Sequence, residues 1–208
     1  MTAHGKDEAR FASSCVPLDL GDDAPLALQL LRAGSADVTV DMTMETARPT
    51  TLYLLCGKIA AGKSTLARRL AARPATLLIS MDHWMSILFP TENRTIEDFA
   101  RLSARLRAAM GPHIVDILRQ DLSVVLDFPA NTVSWRGWMR SVISEADVAH
   151  ELHVLDVPDA LCKERLRQRN EDREHPYQVS EATFDLFMSY FVLPTPDEGF
   201  NIVVHHTP

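Results

Sequence analysis

Cysteine is scarce in this 208-residue sequence: Cys15, Cys56 and Cys162 stand far apart and are odd in number. They form neither a disulfide framework nor metal-ligand spacing, and they fit a reducing, cytoplasmic compartment. No apolar run approaches the roughly 18 residues that a membrane-crossing helix needs. The opening stretch MTAHGKDEARFASSC lacks the apolar core of a secretion signal. A basic excess is missing too. The formal net charge is −7, which argues against a large nucleic-acid footprint but leaves room for a local basic groove. Internal repeats and low-complexity tracts are absent. His150, His153, His205 and His206 lie at strand ends without a partner at ligand spacing, so no structural zinc is assigned. What remains, 46% hydrophobic and 24% charged residues, is the composition of an ordinary globular domain.

The domain is expected over residues 50–208, with residues 1–49 as an N-terminal extension. That extension is polar and loosely docked at first, then carries a short helix over Ala24–Gly34 and an edge strand in ADVTVDMTM. From Thr51 the rhythm changes. TLYLLC, ATLLIS, LSVVLDF, ELHVLDV and FNIVVHH are short runs that are apolar on both faces. Such strands belong to parallel sheets covered by helices. Helices are expected over Lys63–Ala72, Thr95–Met110, Pro112–Gln120, Arg136–Glu145, Ala160–Arg169 and Glu181–Phe191. The alternation predicts an α/β fold: five strands in a mostly parallel sheet, sandwiched by helices. Ligands then gather beyond the carboxyl ends of the strands.

Gly57-Lys58-Ile59-Ala60-Ala61-Gly62-Lys63-Ser64-Thr65 follows the first strand and opens the first helix. It matches G-x-x-x-x-G-K-[ST] without a gap, the pattern of a loop that cradles phosphates. Gly57 and Gly62 let the backbone curl around an anion. Lys58, Ala60 and Ala61 offer N–H groups, Lys63 reaches the terminal phosphates of ATP, and Ser64 holds Mg²⁺ beside Thr65. Asp127 ends the third strand, where a carboxylate can complete the metal shell; the alternative is an aspartate that caps the next segment. Asp82 follows the second strand. It either orients an acceptor hydroxyl and takes its proton or caps the helix beginning near His83. Arg165 and Arg169, four residues apart in CKERLRQRN, share a helix face. They either neutralise a moving phosphoryl group beneath a lid that includes Pro176, or form a solvated basic surface. Trp84, Trp135 and Trp138 are candidates for the acceptor pocket or for the core. LPTPDEG either passes beside an adenine or serves as a rigid connection.

In order, GKIAAGKST, LISMD, VVLDFPANTVSWRGW, LHVLDVPDALCKERLRQRN and PTPDEGFNIVVHH resemble the AAA_33-type P-loop kinases, a group similar to chloramphenicol phosphotransferase, zeta-toxin and gluconate kinase enzymes. The resemblance spans about Thr51 to His206. It implies a P-loop NTPase fold with a helical lid, with Asp82 as the acceptor-side acid, Asp127 as the second acid and Arg165 and Arg169 as lid arginines. It also implies Arg136, in SWRGW, as a position near substrate. Some members carry an arginine three residues after the acceptor-side acid. Here that residue is Met85, and the HWMSILF wall points to an uncharged or partly aromatic acceptor. The expected activity is ATP-dependent, Mg²⁺-assisted transfer to a hydroxyl of a small molecule. A polynucleotide 5′-hydroxyl kinase and a nucleotide-binding switch or toxin-type module are the alternatives.

Overall fold

The computed structural model describes residues 48–172 and 179–206. Expectations for the N-terminal extension fall on residues 1–47, and those for the Pro176 segment fall on 173–178, so both lie outside the described residues.

Five parallel strands form one sheet in the order β2-β3-β1-β4-β5. They are β1 (Thr51–Gly57), β2 (Thr76–Ser80), β3 (Ser123–Pro129), β4 (Ala149–Asp156) and β5 (Ile202–His206). Central β1 is buried along its whole length, which is why TLYLLC shows no polar alternation. Its side chains still divide by face. Leu52, Leu54 and Cys56 join the core beneath α3 (Ile96–Leu118) and α4 (Val133–Ala146). Tyr53 and Leu55 join the opposite core, packed by α1 (Lys63–Ala71), α5 (Asp159–Asp172) and α6 (Glu181–Ser189). This period of two on a doubly covered sheet sets the layering. Burial raises the Cys56 thiol to about 11, so it packs as a small apolar side chain. No helix among the described residues is long and apolar enough to cross a membrane.

Two helical expectations change. α2 (Met81–Leu88) begins directly after β2, with Ser80 as its N-cap and Asp82 inside its first turn. Asp82 is therefore not the cap. The two helices expected on either side of Gly111 are one, α3, with Pro112 in its interior. Proline there removes a hydrogen bond and typically costs about 3 kcal/mol. Burial of Met110, Ile114, Val115 and Leu118 around it works against that cost. The start of α3 is fixed by a reciprocal capping box: Thr95 Oγ1 accepts from the Asp98 amide (3.1 Å), and Asp98 accepts from the Thr95 amide (3.3 Å).

Within LPTPDEG, Pro196–Glu198 form a turn of 3₁₀-helix. From it, the Glu198 carboxylate grips Arg136, a fully buried residue on α4. Arg136 Nε and Nη2 donate to the two Glu198 oxygens (2.6 and 2.9 Å), and Nη1 donates to the Ala130 and Val192 carbonyls (3.0 and 2.8 Å). The pair ties α4 to the segment that leads into β5.

The guanidinium holds the Glu198 carboxyl below the usual carboxylate range. The stabilisation is therefore full at neutral pH and fades as pH falls through the folded-state pKa. Removing one partner of a buried pair leaves the other charge uncompensated, at a cost of about 3–5 kcal/mol. Glu198→Ala is expected to lose about that much stability in urea at pH 7, with the gap from wild type closing as the titration is repeated at lower pH. An equal gap at every pH would remove the ion pair as its cause.

Candidate functional site

β1 lies where the sheet changes direction, with β3 on one side and β4 on the other, so a crevice opens at its carboxyl end. Gly57 ends β1, and the loop Lys58–Gly62 leads into α1. Gly62, the N-cap, has φ 100°, a left-handed conformation that favours glycine. Ala60 adopts φ 60° without being glycine, a strain of roughly 1–2 kcal/mol. The Ala61 amide donates to the Lys58 carbonyl (3.2 Å) and closes the turn. The first intrahelical bond of α1 is from Leu66 to Gly62, so the amides of Lys63, Ser64 and Thr65 have no intrahelical acceptor. This mouth can receive an anion.

Lys63 Nζ donates to the Gly57 and Lys58 carbonyls, both at 2.7 Å. Burial pushes its pKa down, while the charges of Asp127 and Asp82 act in the opposite direction. Lys58 turns its side chain away, to the Val157 carbonyl (3.1 Å) and to an ion pair with Asp159 at the start of α5. Of the loop residues predicted for phosphate, Ala60, Gly62, Lys63, Ser64 and Thr65 line the cleft. Gly57 and Ala61 are buried behind it.

Asp127 stands beside Ser80 in the β2–β3 register, so Asp82, two residues beyond Ser80, projects from the same end of the sheet. The cap of α4 is Thr132, whose hydroxyl accepts from the Trp135 amide (3.3 Å). Asp127 is thus not a helix cap. Burial raises its pKa. A Ser64 hydrogen bond and the Lys63 and Arg68 charges counter that rise, while Asp82 adds to it. A hydroxyl and a carboxylate held together are hard oxygen donors, the set Mg²⁺ takes when it keeps several waters. Among the described residues no group of three His, Cys, Asp or Glu could hold a metal. Arg165 and Arg169 on α5 line the same cleft. Burial lowers the Arg169 pKa, and the Asp82 charge opposes it. The phosphate loop, both carboxylates and both arginines therefore surround one cavity of about 1630 Å³.

Two predicted substrate contacts are not in that cavity. Arg136 is buried and committed to Glu198 and to main-chain carbonyls, so it is structural. Its position on SWRGW faces the core because α4 packs that side down. Trp84 is 40% exposed and absent from the cleft wall. Two residues along a helix from Asp82 is a rotation of about 200°, which turns Trp84 outward. Ile87 and Leu88 are exposed with it, whereas Met85 is buried at the cleft. The continuous apolar wall expected from HWMSILF is thus not formed.

Two residues escaped sequence reading. Asn131, just past β3, reads both backbone groups of Gly57: its Oδ1 accepts from the amide and its Nδ2 donates to the carbonyl, each at 3.0 Å. Arg107 lies over the Trp135 ring, 4.2 Å from its centroid. An asparagine after the acidic strand end was a visible signal for the first; nothing separated Arg107 from the other arginines of α3.

Asn131→Ala would leave buried backbone groups of Gly57 short of partners, a penalty of about 1–3 kcal/mol. Faster hydrogen exchange at the Gly57 amide is expected, together with a lower unfolding midpoint. An unchanged exchange rate would show that Asn131 does not clamp the loop.

Residues 52–194 match the AAA_33 model, described as an AAA domain. No curated protein matches the sequence. Solved structures share the fold at low identity. A candidate kinase from Chloroflexus aurantiacus is 18% identical, with 76% of this chain and 85% of that one covered and a TM-score of 0.61. Chaetomium thermophilum Kti12, in complex with ADP-AlF3, is 17% identical over 74% of this chain and 88% of that one, with a TM-score of 0.55. A Sinorhizobium meliloti gluconokinase is 16% identical over 76% and 82%, with a TM-score of 0.50. With a family match over most of its length and a phosphate loop set at the switch point of a five-stranded parallel sheet, the chain belongs to the AAA_33 family of P-loop proteins.

Proposed function

We propose that the protein is an ATP-dependent phosphotransferase that moves the γ-phosphate of ATP to a hydroxyl of a small molecule. The observation that carries this reading is the position of Asp82. It lies across the cleft from the phosphate loop, close enough to influence Lys63, Asp127 and Arg169 electrostatically. A nucleotide-binding module needs no acid there, whereas an acceptor hydroxyl does.

The loop amides and Lys63 bind the β- and γ-phosphates. Asp82 accepts the hydrogen bond of the acceptor hydroxyl and aims its oxygen at the γ-phosphorus. The oxygen–phosphorus bond forms as the bond to the bridging oxygen of ADP breaks, and the hydroxyl proton passes to Asp82. Arg165 and Arg169 face charge that shifts onto the transferred group and the leaving oxygen. Ser64 and Asp127 would hold Mg²⁺, which when bound neutralises charge on the last two phosphates.

The kinases among the structural relatives accord with this reading: a gluconokinase, and a sugar kinase from Janibacter at a TM-score of 0.50. One observation favours a second reading, a polynucleotide 5′-hydroxyl kinase. Despite the chain's net charge of −7, the cleft is lined by Lys63, Arg68, Arg69, Arg94, Arg107, Arg165 and Arg169 against Asp82 and Asp127 alone. A structure of the Pnkp1/Rnl/Hen1 RNA repair complex shares the fold over 70% of this chain, with a TM-score of 0.51.

ATP turnover measured with a panel of alcohols and with 5′-hydroxyl oligonucleotides separates the readings. Stimulation by a small alcohol supports the first, and stimulation by strand ends selects the second. Steady hydrolysis that no acceptor changes would overturn both. Asp82→Asn is expected to retain AMPPNP affinity while acceptor-dependent transfer falls by at least about a hundredfold. Full transfer by this variant would leave Asp82 as a first-turn residue of α2 without a part in transfer.

Asp127→Asn is expected to raise the Mg²⁺ concentration needed for half-maximal turnover and to lower the maximum. The same wild-type requirement should rise as pH falls, beginning above the ordinary carboxylate range because burial raises the Asp127 pKa. An Mg²⁺ dependence identical in variant and wild type would leave Asp127 without a metal role.

A further inference from the structure

Arg107 is an arginine without a carboxylate. Three described arginines have one: Arg101 pairs with Asp98, Arg136 with Glu198 and Arg167 with Glu181. Among the described residues no ion pair reaches Arg107, and its buried Nε has no hydrogen-bond partner. Its guanidinium instead meets aromatic rings. The guanidinium carbon is 4.2 Å from the Trp135 centroid and 5.9 Å from that of Trp138.

The platform beneath it is rigid. Trp135 meets Phe128 and Trp138 edge-on at 6.3 and 6.2 Å, and Phe128 stacks on Trp138 at 5.8 Å. A planar cation on an immobilised ring is pre-organised, and among the described residues its two terminal nitrogens make no hydrogen bond. Burial lowers the Arg107 pKa, yet a guanidinium stays charged at any ordinary pH.

Its place in the cleft says what it faces. α3 and the start of α4 form the wall that carries Phe99, Ser103, Phe128, Thr132 and Trp135. The phosphate end of the same cavity already has Lys63, Arg165 and Arg169 for the nucleotide. Of the two carboxylates lining the cavity, Asp127 belongs to that end and Asp82 faces the acceptor hydroxyl, and neither offsets the burial of Arg107. Trp84, Ile87 and Leu88, which would have made the acceptor pocket apolar, face outward.

We propose that Arg107, held on Trp135, binds an oxyanion of the phosphate acceptor, so that the acceptor is an anionic alcohol bearing a carboxylate or phosphate. The assignment of that ligand as acceptor rests on the phosphotransferase reading; the anion site itself does not. The guanidinium fork matches two oxygens of either group. Recognition of this kind fixes the distance from the charged end of the acceptor to its reacting hydroxyl, and so selects among alcohols.

The full-length protein, saturated with Mg²⁺ and AMPPNP so that the phosphate loop is filled, is titrated calorimetrically with inorganic phosphate and with malonate. A second anion site is expected. Arg107→Met, which retains a straight stem on Trp135, should weaken it at least about tenfold, or about 1.4 kcal/mol. Arg107→Lys should weaken it less, and AMPPNP affinity checks the fold of both variants. In transfer assays, hydroxy acids or sugar phosphates should exceed uncharged alcohols of the same size, and Arg107→Met should raise KM more than it lowers kcat. Anion titrations that are identical in wild type and Arg107→Met overturn the proposal, even where phosphoryl transfer is found. So does a preferred acceptor that is uncharged, or an oligonucleotide end whose KM ignores the substitution. Anion binding that depends on Arg107 while no alcohol is phosphorylated keeps the anion site and ends the phosphotransferase reading.

Discussion

The peptide unit of Gly57 is where the sheet, the phosphate loop and the C-terminal segment meet. Its carbonyl accepts from both Lys63 Nζ and Asn131 Nδ2, and its amide donates to Asn131 Oδ1. A Cβ at this position would lie 3.1 Å from the Leu155 Cβ on β4, so a side chain here would press on β4 and the neighbour would have to yield. Asn131 in turn accepts from the Val192 amide, Val192 accepts from Arg136, and Arg136 is held by Glu198. One connected set of hydrogen bonds therefore runs from the tip of β1 to the entrance of β5. Buried networks of this kind hold their members to one geometry, because each unpaired group would be costly. The loop inherits that rigidity even though its own sequence is permissive.

The same contacts define the resting state of the loop. Lys63 is satisfied by two carbonyls, in a setting where burial disfavours its charge and two carboxylates favour it. On the proposed reading, a phosphate in the loop would pair the ammonium with an anion, a full opposite charge that the carbonyls do not supply. Ser64 stands near enough to Asp127 to counter the rise in its pKa. On the proposed reading, these contacts place Lys63 and Asp127 in advance, so that little reorganisation would stand between binding and transfer.

How much of this could be read in the sequence depended on how far each feature relied on local spacing. The phosphate loop, the five strands and the positions of Asp82, Asp127, Arg165 and Arg169 follow from chain-local rules. A residue that ends a parallel strand must project at the carboxyl edge, and two residues four apart on a helix must share a face. Arg136 and Trp84 could not be resolved that way. Each sits on a helix whose rotation is set by tertiary packing, and the packing turned Arg136 into the core and Trp84 out of the cleft. The break expected at Gly111 and Pro112 failed for a related reason: burial on either side outweighs a local penalty. Arg107 was illegible because ARLSARLRAAM contains three arginines whose faces differ only by a turn register, which depends on where Trp135 lies.

Charge in this protein is segregated rather than balanced. The chain as a whole is acidic, yet the charged side chains on the wall of the cleft are mostly arginine and lysine. Several carboxylates elsewhere pair outside that wall, with Asp98, Asp159, Glu181 and Asp185 each tied to a base. Surface pairs of that kind add little stability, but they leave the cleft cations with few internal competitors. Low-dielectric walls then focus the field of those cations on whatever enters. An acidic exterior resists non-specific contact with nucleic acid, while the concave site stays attractive to small anions. Net charge describes the outside of this molecule, and the cleft has to be judged by the residues that line it.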